Sequence, residues 1–295
     1  MRGVAERILG RAGRGVLRTP AVEGRVGILA YHNVVPDGVA PVGDDSLHLP
    51  ISSFARQLDF LQAYCDVVPL ERVLEPRAGA RLAVAITFDD GYRGALTLAA
   101  AELARRGLPA TMFVPPGLLD DRSFWWDDLA DPVNGLADDL RARALGELRG
   151  VEREIRTAIP ARPAVHPPSM RSGTLQELGR AVEEAGLRLG AHSWSHPNLA
   201  AIGAAELEPE LARPMAWLRE RFPDRAIPWI AYPYGLSTSA VEVAAAAAGY
   251  TNGLLAEGGT FRREGARRPF AVPRVNVPAG VSLDGFALRL AGVPL

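Results

Sequence analysis

The sequence predicts an α/β barrel, with parallel strands covered by helices, and three observations lead to that class. Short apolar runs alternate with helical patterns along most of the 295 residues. Runs such as Ala83–Ile86 have no polar face, which is typical of strands buried on both sides of a sheet. About seven such runs suit a (β/α) barrel or a distorted version of it. A doubly wound open sheet is the structural alternative.

The predicted strands are the short apolar runs, in order Val26–Tyr31, Ala83–Phe88, Ala110–Val114, Arg188–Ala191, Ile227–Tyr232, Thr251–Leu255 and Val272–Val277. The predicted helices lie between them, at Ser53–Tyr64, Ala95–Arg106, Leu175–Ala185, Ala205–Arg221 and Ser239–Ala248. Gly107, Gly186 and Gly249 directly follow three of these helices. We expect them to end those helices in the left-handed conformation that glycine adopts without strain.

Two segments depart from this alternation. Residues 120–172 contain a charged, helix-prone stretch, Leu136–Ile159, and are too short and charged to bury much core alone. We interpret them as an insertion in a single domain that spans residues 26–295. Residues 1–25 form a basic arm whose apolar side chains include Val4, Ile8, Leu9, Val16 and Leu17. Weak association with an acidic membrane surface is one interpretation, and a frayed arm or a helix packed on the body is favoured.

Composition excludes several classes of protein. A hydrophobic fraction of 48% and a charged fraction of 23% are typical of a globular chain, and a net charge of -1 gives no reason to expect nucleic acid as a partner. Cys65 is the only cysteine, so no intrachain disulfide can form. We expect Cys65 to be a small buried apolar residue. No apolar run approaches the ~18 residues of a membrane span, and no secretory leader is evident. The expected location is cytoplasmic, with a mature exported form left open.

The first motif with chemical content is the run Thr87–Tyr92, where Asp89 and Asp90 end an apolar strand. Burying a carboxylate is costly unless it finds a cation, a metal or strong hydrogen bonds. Side chains alternate in direction along a strand, so two adjacent aspartates can serve two tasks at one site. The alternative is an ordinary Asp-Gly turn.

The second motif follows another predicted strand and contains His192 and His196. A spacing of four residues can aim both imidazoles at one ion. Pro197 is expected to bias His196 toward an extended backbone. With a carboxylate, the two imidazoles would leave metal positions open for water and substrate, as hydrolysis requires. Alone, the pair is also compatible with two polar loop histidines.

Two further features complete the set. Tyr232-Pro233-Tyr234-Gly235 begins at the end of the fifth predicted strand, where a simple turn is the alternative. Arg274 lies inside an apolar strand, where it needs an acidic partner unless it faces solvent on an edge strand. The two aspartates, the two histidines and the tyrosines all follow strand ends. In a parallel barrel these ends open on one face, where active sites form.

In this order, the Asp89-Asp90-Gly91, His192–His196 and Tyr232–Gly235 motifs resemble the polysaccharide deacetylase family, the NodB-homology enzymes similar to carbohydrate esterase family 4. The resemblance extends from about Gly27 to Val277. It implies a distorted (β/α)7 barrel and a hydrolase that removes N-acetyl groups from amino sugars of a polysaccharide or its glycan precursor. It also implies a divalent metal, most often zinc, with cobalt, nickel or manganese as alternatives.

Carried over by this resemblance, Asp89 is the general base, while Asp90, His192 and His196 are the metal ligands. The backbone N–H of Tyr234 would hold the oxyanion.

The sequence departs from the family at two positions. Ala231 stands where the family commonly has an Arg that pairs with the catalytic Asp, and we expect Arg274 to supply that cation. No His follows His196 to act as the usual general acid, so His32, after the first strand, is the candidate. His48 and His166, in predicted loops, have weaker claims.

The candidate substrate contacts are aromatic, because such rings stack well on sugars: Tyr232, Trp194, Trp125 and Trp126. Both tryptophans of the 125–126 pair would equally serve to anchor the insertion. Two other functions stay open on the same residues. One is hydrolysis of O-acetyl esters or small amides, and the other is carbohydrate binding without turnover. A serine hydrolase is disfavoured because the chain has no Gly-x-Ser-x-Gly motif.

Overall fold

The computed structural model describes residues 13–40, 42–77, 81–161, 165–265 and 268–293. Its strands are short runs of mostly buried side chains. The strands are β1 (Arg25–Tyr31), β2 (Asn33–Val35), β3 (His48–Pro50), β4 (Cys65–Val67), β5 (Leu82–Phe88), β6 (Ala110–Val114), β7 (Arg188–Ala191), β8 (Ala226–Ala231), β9 (Asn252–Gly258), β10 (Phe261–Arg262) and β11 (Val272–Asn276).

Seven of these strands close into a barrel. The hydrogen-bonded order is β1-β11-β9-β8-β7-β6-β5, and β5 pairs again with β1, every pairing being parallel. β4 lies beside β5 and β10 lies antiparallel beside β1, so both flank the closed ring. β2 and β3 form a separate parallel pair. The predicted (β/α)7 barrel is therefore confirmed, and the open-sheet alternative is wrong because the sheet closes on itself.

The helices cover this barrel on the outside and at its mouth. They are α1 (Ile51–Tyr64), α2 (Ala100–Arg106), α3 (Trp125–Leu129), α4 (Asp138–Leu145), α5 (Glu152–Ala158), α6 (Leu175–Ala185), α7 (Ala204–Arg221), α8 (Ser239–Ala247) and α9 (Leu283–Ala291). A π-helical turn, Ala95–Ala99, precedes α2. Gly107 and Gly186 cap α2 and α6 with φ of 62° and 63°, as predicted, and Gly249 follows α8 with φ of 90°.

The insertion at residues 120–172 supplies α3, α4 and α5. Its predicted helical stretch, 136–159, is divided between α4 and α5. Trp125, Trp126 and Ile155 belong to the same apolar cluster as the barrel strands. The insertion therefore lies against the barrel and shares its core.

The described part of the N-terminal arm also contacts the barrel domain. Leu17 is 1% exposed and belongs to the main apolar cluster, and Arg14 forms an ion pair with Asp284 of α9. These contacts favour packing on the body over a membrane surface. Val4, Ile8 and Leu9 lie outside the described residues. In the described ranges, no helix has the length and apolar character needed to cross a membrane.

Cys65 begins β4 and is buried, as predicted from its apolar surroundings. Burial raises the pKa of its thiol to about 12. A thiol that stays protonated at neutral pH is a poor nucleophile. The residue is therefore part of the core.

Candidate active site and metal centre

A cavity of about 590 Å³ opens at the carboxyl ends of the barrel strands. The predicted site residues on its lining include Asp89, Asp90, His192, His196, Tyr234 and Arg274. They come from β5, β7, β8 and β11 or from the loops that follow those strands. Closing the barrel thus brings together motifs that are far apart in the chain, at the face where parallel barrels form their sites.

Asp90, His192 and His196 form a compact set of three potential metal ligands. Asp90 Oδ1 lies 3.3 Å from His192 Nε2 and 3.2 Å from His196 Nε2, and the two Nε2 atoms are 3.1 Å apart. A tetrahedral zinc ion with ligands at about 2.0–2.1 Å needs ligand atoms about 3.3 Å apart. One carboxylate and two imidazoles also have the ligand chemistry that suits zinc and similar divalent ions. The residues present therefore fit a metal ion, and they are the one such cluster found within the described ranges.

The backbone around these ligands is unusual. Six non-glycine residues in the described ranges have positive φ. Four of them belong to the site: Asp90 (69°), Ser193 (58°), His196 (62°) and Tyr234 (59°). Such strain concentrates where the surrounding structure holds a functional geometry. The prediction that Pro197 would give His196 an extended backbone is wrong. The loop turns at His196, and its N–H donates to Ser193 Oγ at 2.9 Å.

The two imidazoles are oriented in different ways. His192 Nδ1 donates to the carbonyl of Ala231 at 2.7 Å, which turns Nε2 toward Asp90. His196 Nδ1 is buried and has no partner among the described residues. Its ring instead lies 4.8 Å from the ring of Trp126 and 4.7 Å from that of Tyr234, between centroids. On its Nδ1 side, packing rather than a hydrogen bond therefore orients the His196 ring.

The three potential metal ligands shift one another's pKa values. Burial opposes the charged forms, but hydrogen bonds from His192 and His196 lower the pKa of Asp90. Burial likewise acts to lower the pKa of His192, yet the neighbouring Asp89 and Asp90 raise it. For His196 burial dominates, so its pKa is lowered. An ionised carboxylate and a neutral His196 are the forms that coordinate metals.

Asp89 forms a two-pronged ion pair with Arg274. Arg274 Nη1 donates to Asp89 Oδ1 at 2.8 Å, and Nη2 donates to Oδ2 at 2.6 Å. Burial acts to raise the pKa of Asp89, but the guanidinium outweighs it and lowers that pKa. Arg274 is 1% exposed on a strand paired on both sides, so the alternative of a solvent-facing edge residue is wrong.

His32, Tyr232 and Tyr234 also border the cavity. His32 is half-buried. Tyr234 has a φ of 59°, and its hydroxyl donates to the carbonyl of His196 at 3.1 Å. The Tyr232 hydroxyl points away from the ligands and donates to the carbonyl of Phe270 at 3.1 Å. Tyr232 is therefore part of the wall.

The three tryptophans differ in their relation to the site. Trp125 and Trp126 border the cavity but are only 3% and 7% exposed, which favours the anchoring of the insertion over an exposed sugar-binding surface. Their indole N–H groups donate to the Tyr234 hydroxyl (3.3 Å) and the Tyr92 hydroxyl (2.7 Å), respectively. Trp194 does not line the cavity and instead packs under the guanidinium of Arg213, 3.9 Å from the ring centroid.

His48 and His166 lie away from the cavity lining. His48 begins β3 instead of a loop, and its Nε2 is 3.1 Å from Asp127 Oδ1. His166 Nε2 is 2.8 Å from Asp128 Oδ1. Both rings are buried beside carboxylates of α3. The His48 contact joins β3 to the insertion, whereas the His166 contact lies within the insertion.

The cavity also has charged lining residues that the sequence analysis missed. Asp44, Arg141 and Glu257 come from the loop before β3, from α4 and from β9. They share no motif or spacing in the sequence. Only the folded arrangement brings them to the same opening.

Comparison with known proteins agrees with this geometry. The sequence model described as polysaccharide deacetylase matches residues 77–253, which include the Asp89-Asp90, His192–His196 and Tyr234 motifs. His32 and Arg274 lie outside the matched range. No curated protein matches the chain significantly.

Several solved structures share the fold over 90% of the chain. IcaB from Ammonifex degensii has 19% sequence identity, a TM-score of 0.64 and 97% of its own chain covered. The Streptococcus pyogenes deacetylase PplD, solved in complex with acetate, has 17% identity, a TM-score of 0.63 and 98% covered. A de-N-acetylase from Aggregatibacter actinomycetemcomitans has 15% identity, a TM-score of 0.62 and 100% covered. At these identities the likeness concerns the fold alone.

Proposed function

This chain belongs to the polysaccharide deacetylase family, and on that premise we propose that it is a metal-dependent hydrolase that removes N-acetyl groups from amino sugars of a polysaccharide or its glycan precursor. Membership of the family supports deacetylation of a polysaccharide. The finer proposal depends on one observation. The ligand atoms of Asp90, His192 and His196 lie 3.1–3.3 Å apart at the cavity. Asp89, which also lines the cavity, directly precedes Asp90 in the chain.

Asp90, His192 and His196 would hold the ion, for which zinc is the first candidate and cobalt, nickel and manganese are alternatives. When bound, such an ion polarises a carbonyl and lowers the pKa of water to about 7. A set of three protein ligands leaves room for water and substrate, which is the pattern of hydrolytic rather than structural sites.

Asp89 accepts the proton of the attacking water in this proposal. Its carboxylate is ionised because Arg274 holds its pKa below the ordinary value despite burial. The two-pronged contact also fixes the carboxylate plane, because the guanidinium is rigid and planar. Asp89 therefore takes the role of general base, and Arg274 takes the role of orienting it.

Two further groups act on the acetyl amide. The backbone N–H of Tyr234 donates to the oxygen that becomes negatively charged during attack. His32 donates a proton to the sugar nitrogen as the C–N bond breaks. The water oxygen ends in acetate, and the sugar retains a free amine.

The aromatic residues serve the substrate indirectly in this proposal. Trp125 and Trp126 form an apolar wall, since both border the cavity while most of each ring is buried. Tyr232 supports the strand end that carries Tyr234. Trp194 stabilises the loop between the histidines from outside the cavity.

Acetate release from N-acetylglucosamine oligomers tests the proposal. The wild type is assayed after chelation and after addition of zinc, cobalt, nickel or manganese. Asp89→Asn removes the base without changing size, and Asp139→Asn, an exposed residue of α4, is the matched control. We expect acetate release to require the metal, to fall by about 10²-fold or more in Asp89→Asn, and to persist in the control.

Activity that survives both chelation and Asp89→Asn would overturn the proposed mechanism. Glycan binding without acetate release under any metal would instead favour a binding protein. Release from O-acetyl sugars or small amides but not from N-acetyl sugars would move the substrate to the alternative class.

A further inference from the structure

The loop His192–Pro197, which carries both imidazole ligands, is held from outside the cavity by a carboxylate of α7. Glu210 Oε2 accepts hydrogen bonds from the backbone N–H groups of Trp194 (2.9 Å) and Ser195 (2.8 Å). Glu210 Oε1 accepts a third from the Ser195 hydroxyl at 2.6 Å. All three donors lie between the two histidines in sequence, so one carboxylate holds the connection between the ligands.

This connection has a backbone that needs such support. Ser193 and His196 have φ of 58° and 62°, a region that residues other than glycine rarely adopt. Conformations of this kind persist only when surrounding contacts over-determine them. Hydrogen bonds from backbone N–H groups to a carboxylate are among the stronger ones in proteins. Glu210 therefore contributes strong contacts at the two residues that separate the strained positions.

The same helix makes a second contact with the loop. Arg213, one turn after Glu210, lies with its guanidinium carbon 3.9 Å from the ring centroid of Trp194. This cation–π arrangement holds the side chain of a residue whose N–H is already bound by Glu210. Backbone and side chain of the loop are thus both fixed to α7.

His196 depends on this support more than His192 does. A metal-ligating histidine usually donates its other ring N–H to a fixed acceptor. His192 does so through the carbonyl of Ala231, whereas His196 Nδ1 has no such partner in the described ranges. The position of His196 Nε2 is therefore set by the loop backbone and by the rings packed beside it.

We propose that Glu210 is a positioning residue of the metal centre, which holds the loop so that His196 Nε2 faces Asp90 and His192. The inference rests on the proposed function, because it assumes that these three residues bind the ion. Glu210 itself does not line the cavity. It acts through the backbone at Trp194 and Ser195.

Zinc affinity of the purified metal-free protein tests this role without any substrate, through competition with a chromophoric chelator. Glu210→Gln keeps the size of the side chain but removes its charge and replaces one acceptor oxygen with a donor. We expect zinc to bind about 10- to 100-fold more weakly, the range typical of outer partners of metal ligands. Glu208→Gln, exposed on the same helix, is the matched control and should stay within about twofold of the wild type.

Ser195→Ala is a second variant, which removes only the 2.6 Å contact with Oε1. We expect a smaller loss of zinc affinity, and a less than additive loss when it is combined with Glu210→Gln, because both changes alter the same contact. Hydrogen exchange of the Trp194 and Ser195 amides in the metal-free protein should accelerate in Glu210→Gln and not in Glu208→Gln.

Zinc affinity of folded Glu210→Gln within about twofold of the wild type would overturn the inference. Should Glu210→Gln fail to fold, Ser195→Ala decides, and wild-type affinity in that variant is equally damaging. A wild-type chain that binds no zinc overturns the proposed metal centre instead. The failure of the positioning role and the failure of the proposed function are therefore distinguishable.

Discussion

Arg274 binds Asp89 through both of its terminal nitrogens, at 2.8 and 2.6 Å, inside the mouth of the barrel. The guanidinium also donates through Nε to the carbonyl of Leu255 at 2.7 Å and through Nη1 to Thr87 Oγ1 at 3.2 Å. With these four contacts it has little freedom to rotate. A cation from the last strand of the barrel thus fixes a carboxylate that follows β5, next to Asp90, the proposed metal ligand.

Replacing this cation should affect both activity and stability. In Arg274→Ala, Asp89 stays buried without its partner, and breaking a buried pair typically costs about 3–5 kcal/mol of unfolding free energy. We expect acetate release to fall by about 10²-fold or more, because the base loses its orientation. Urea unfolding and steady-state acetate release measure the two effects.

Arg268→Ala is the matched control for this change. Arg268 pairs with Glu242 at the surface, and an exposed pair contributes about 0–1 kcal/mol. We expect nearly wild-type stability and activity in the control. Full activity in Arg274→Ala would remove Arg274 from the proposed mechanism.

Metal binding should be visible as stabilisation of the folded chain. An ion that binds only the folded state at 100 times its Kd raises the unfolding free energy by about 2.7 kcal/mol. We expect zinc to produce this rise in the wild type and not in Asp90→Asn, which lacks the carboxylate charge. Magnesium should have little effect, because it prefers oxygen ligands to imidazole. Equal stabilisation of both proteins by zinc would show that the ion binds elsewhere.

The barrel and the convergence of its motifs were predictable from the sequence because their causes are local. Apolar runs such as Leu82–Phe88 form strands wherever they lie, and Gly107 and Gly186 end helices through their own conformation. The proximity of Asp90 and His192 was predictable for a second reason, which is the geometry of the barrel. In a parallel barrel, residues that follow strand ends share a face.

Other features could not be read from the sequence because they depend on tertiary contacts. The left-handed backbone of His196 overrides the ordinary effect of Pro197, since the loop is held by Ser193 and α7. The burial of Trp126 depends on how α3 packs beside Tyr92, whose hydroxyl accepts a hydrogen bond from the indole N–H. Glu210 sits in a helix pattern that gives no sign of its contact with a loop that lies earlier in the chain.

His32 is expected to matter most when the leaving group is poor. An amine must be protonated as it leaves, whereas an aryl oxide leaves readily without help. We expect His32→Gln to reduce acetate release from N-acetyl sugars by about 10²-fold or more, and to retain most hydrolysis of an activated aryl acetate. Parallel assays on the two substrates measure the difference.

Zinc affinity of His32→Gln is the control, because His32 is not among the three proposed ligands. It should match that of the wild type. Equal losses on both substrates would contradict the acid role and point to a general effect on the cavity. No loss on either substrate would leave the acid to another group.

Asp128 of α3 joins two other parts of the insertion, and we expect its contribution to stability to depend on pH. Its carboxylate accepts hydrogen bonds from His166 (2.8 Å), Arg156 (2.7 Å) and Ser123 (2.9 Å). Burial acts to raise the pKa of Asp128, but these three contacts outweigh it and lower the pKa below the ordinary value. The unfolded chain therefore binds this proton at higher pH than the folded chain does.

A lowered folded-state pKa contributes stability that is complete above the unfolded value of about 3.9 and is lost as pH falls through the folded value. We expect Asp128→Asn to lower the unfolding free energy by about 1–3 kcal/mol at pH 7, and this deficit to shrink below about pH 4 as the wild-type carboxylate becomes protonated. Urea unfolding of both proteins from pH 7 to pH 3 measures it, with exposed Asp139→Asn as the control. A deficit that is constant across this range would mean that Asp128 stabilises the insertion through its shape and not through its charge.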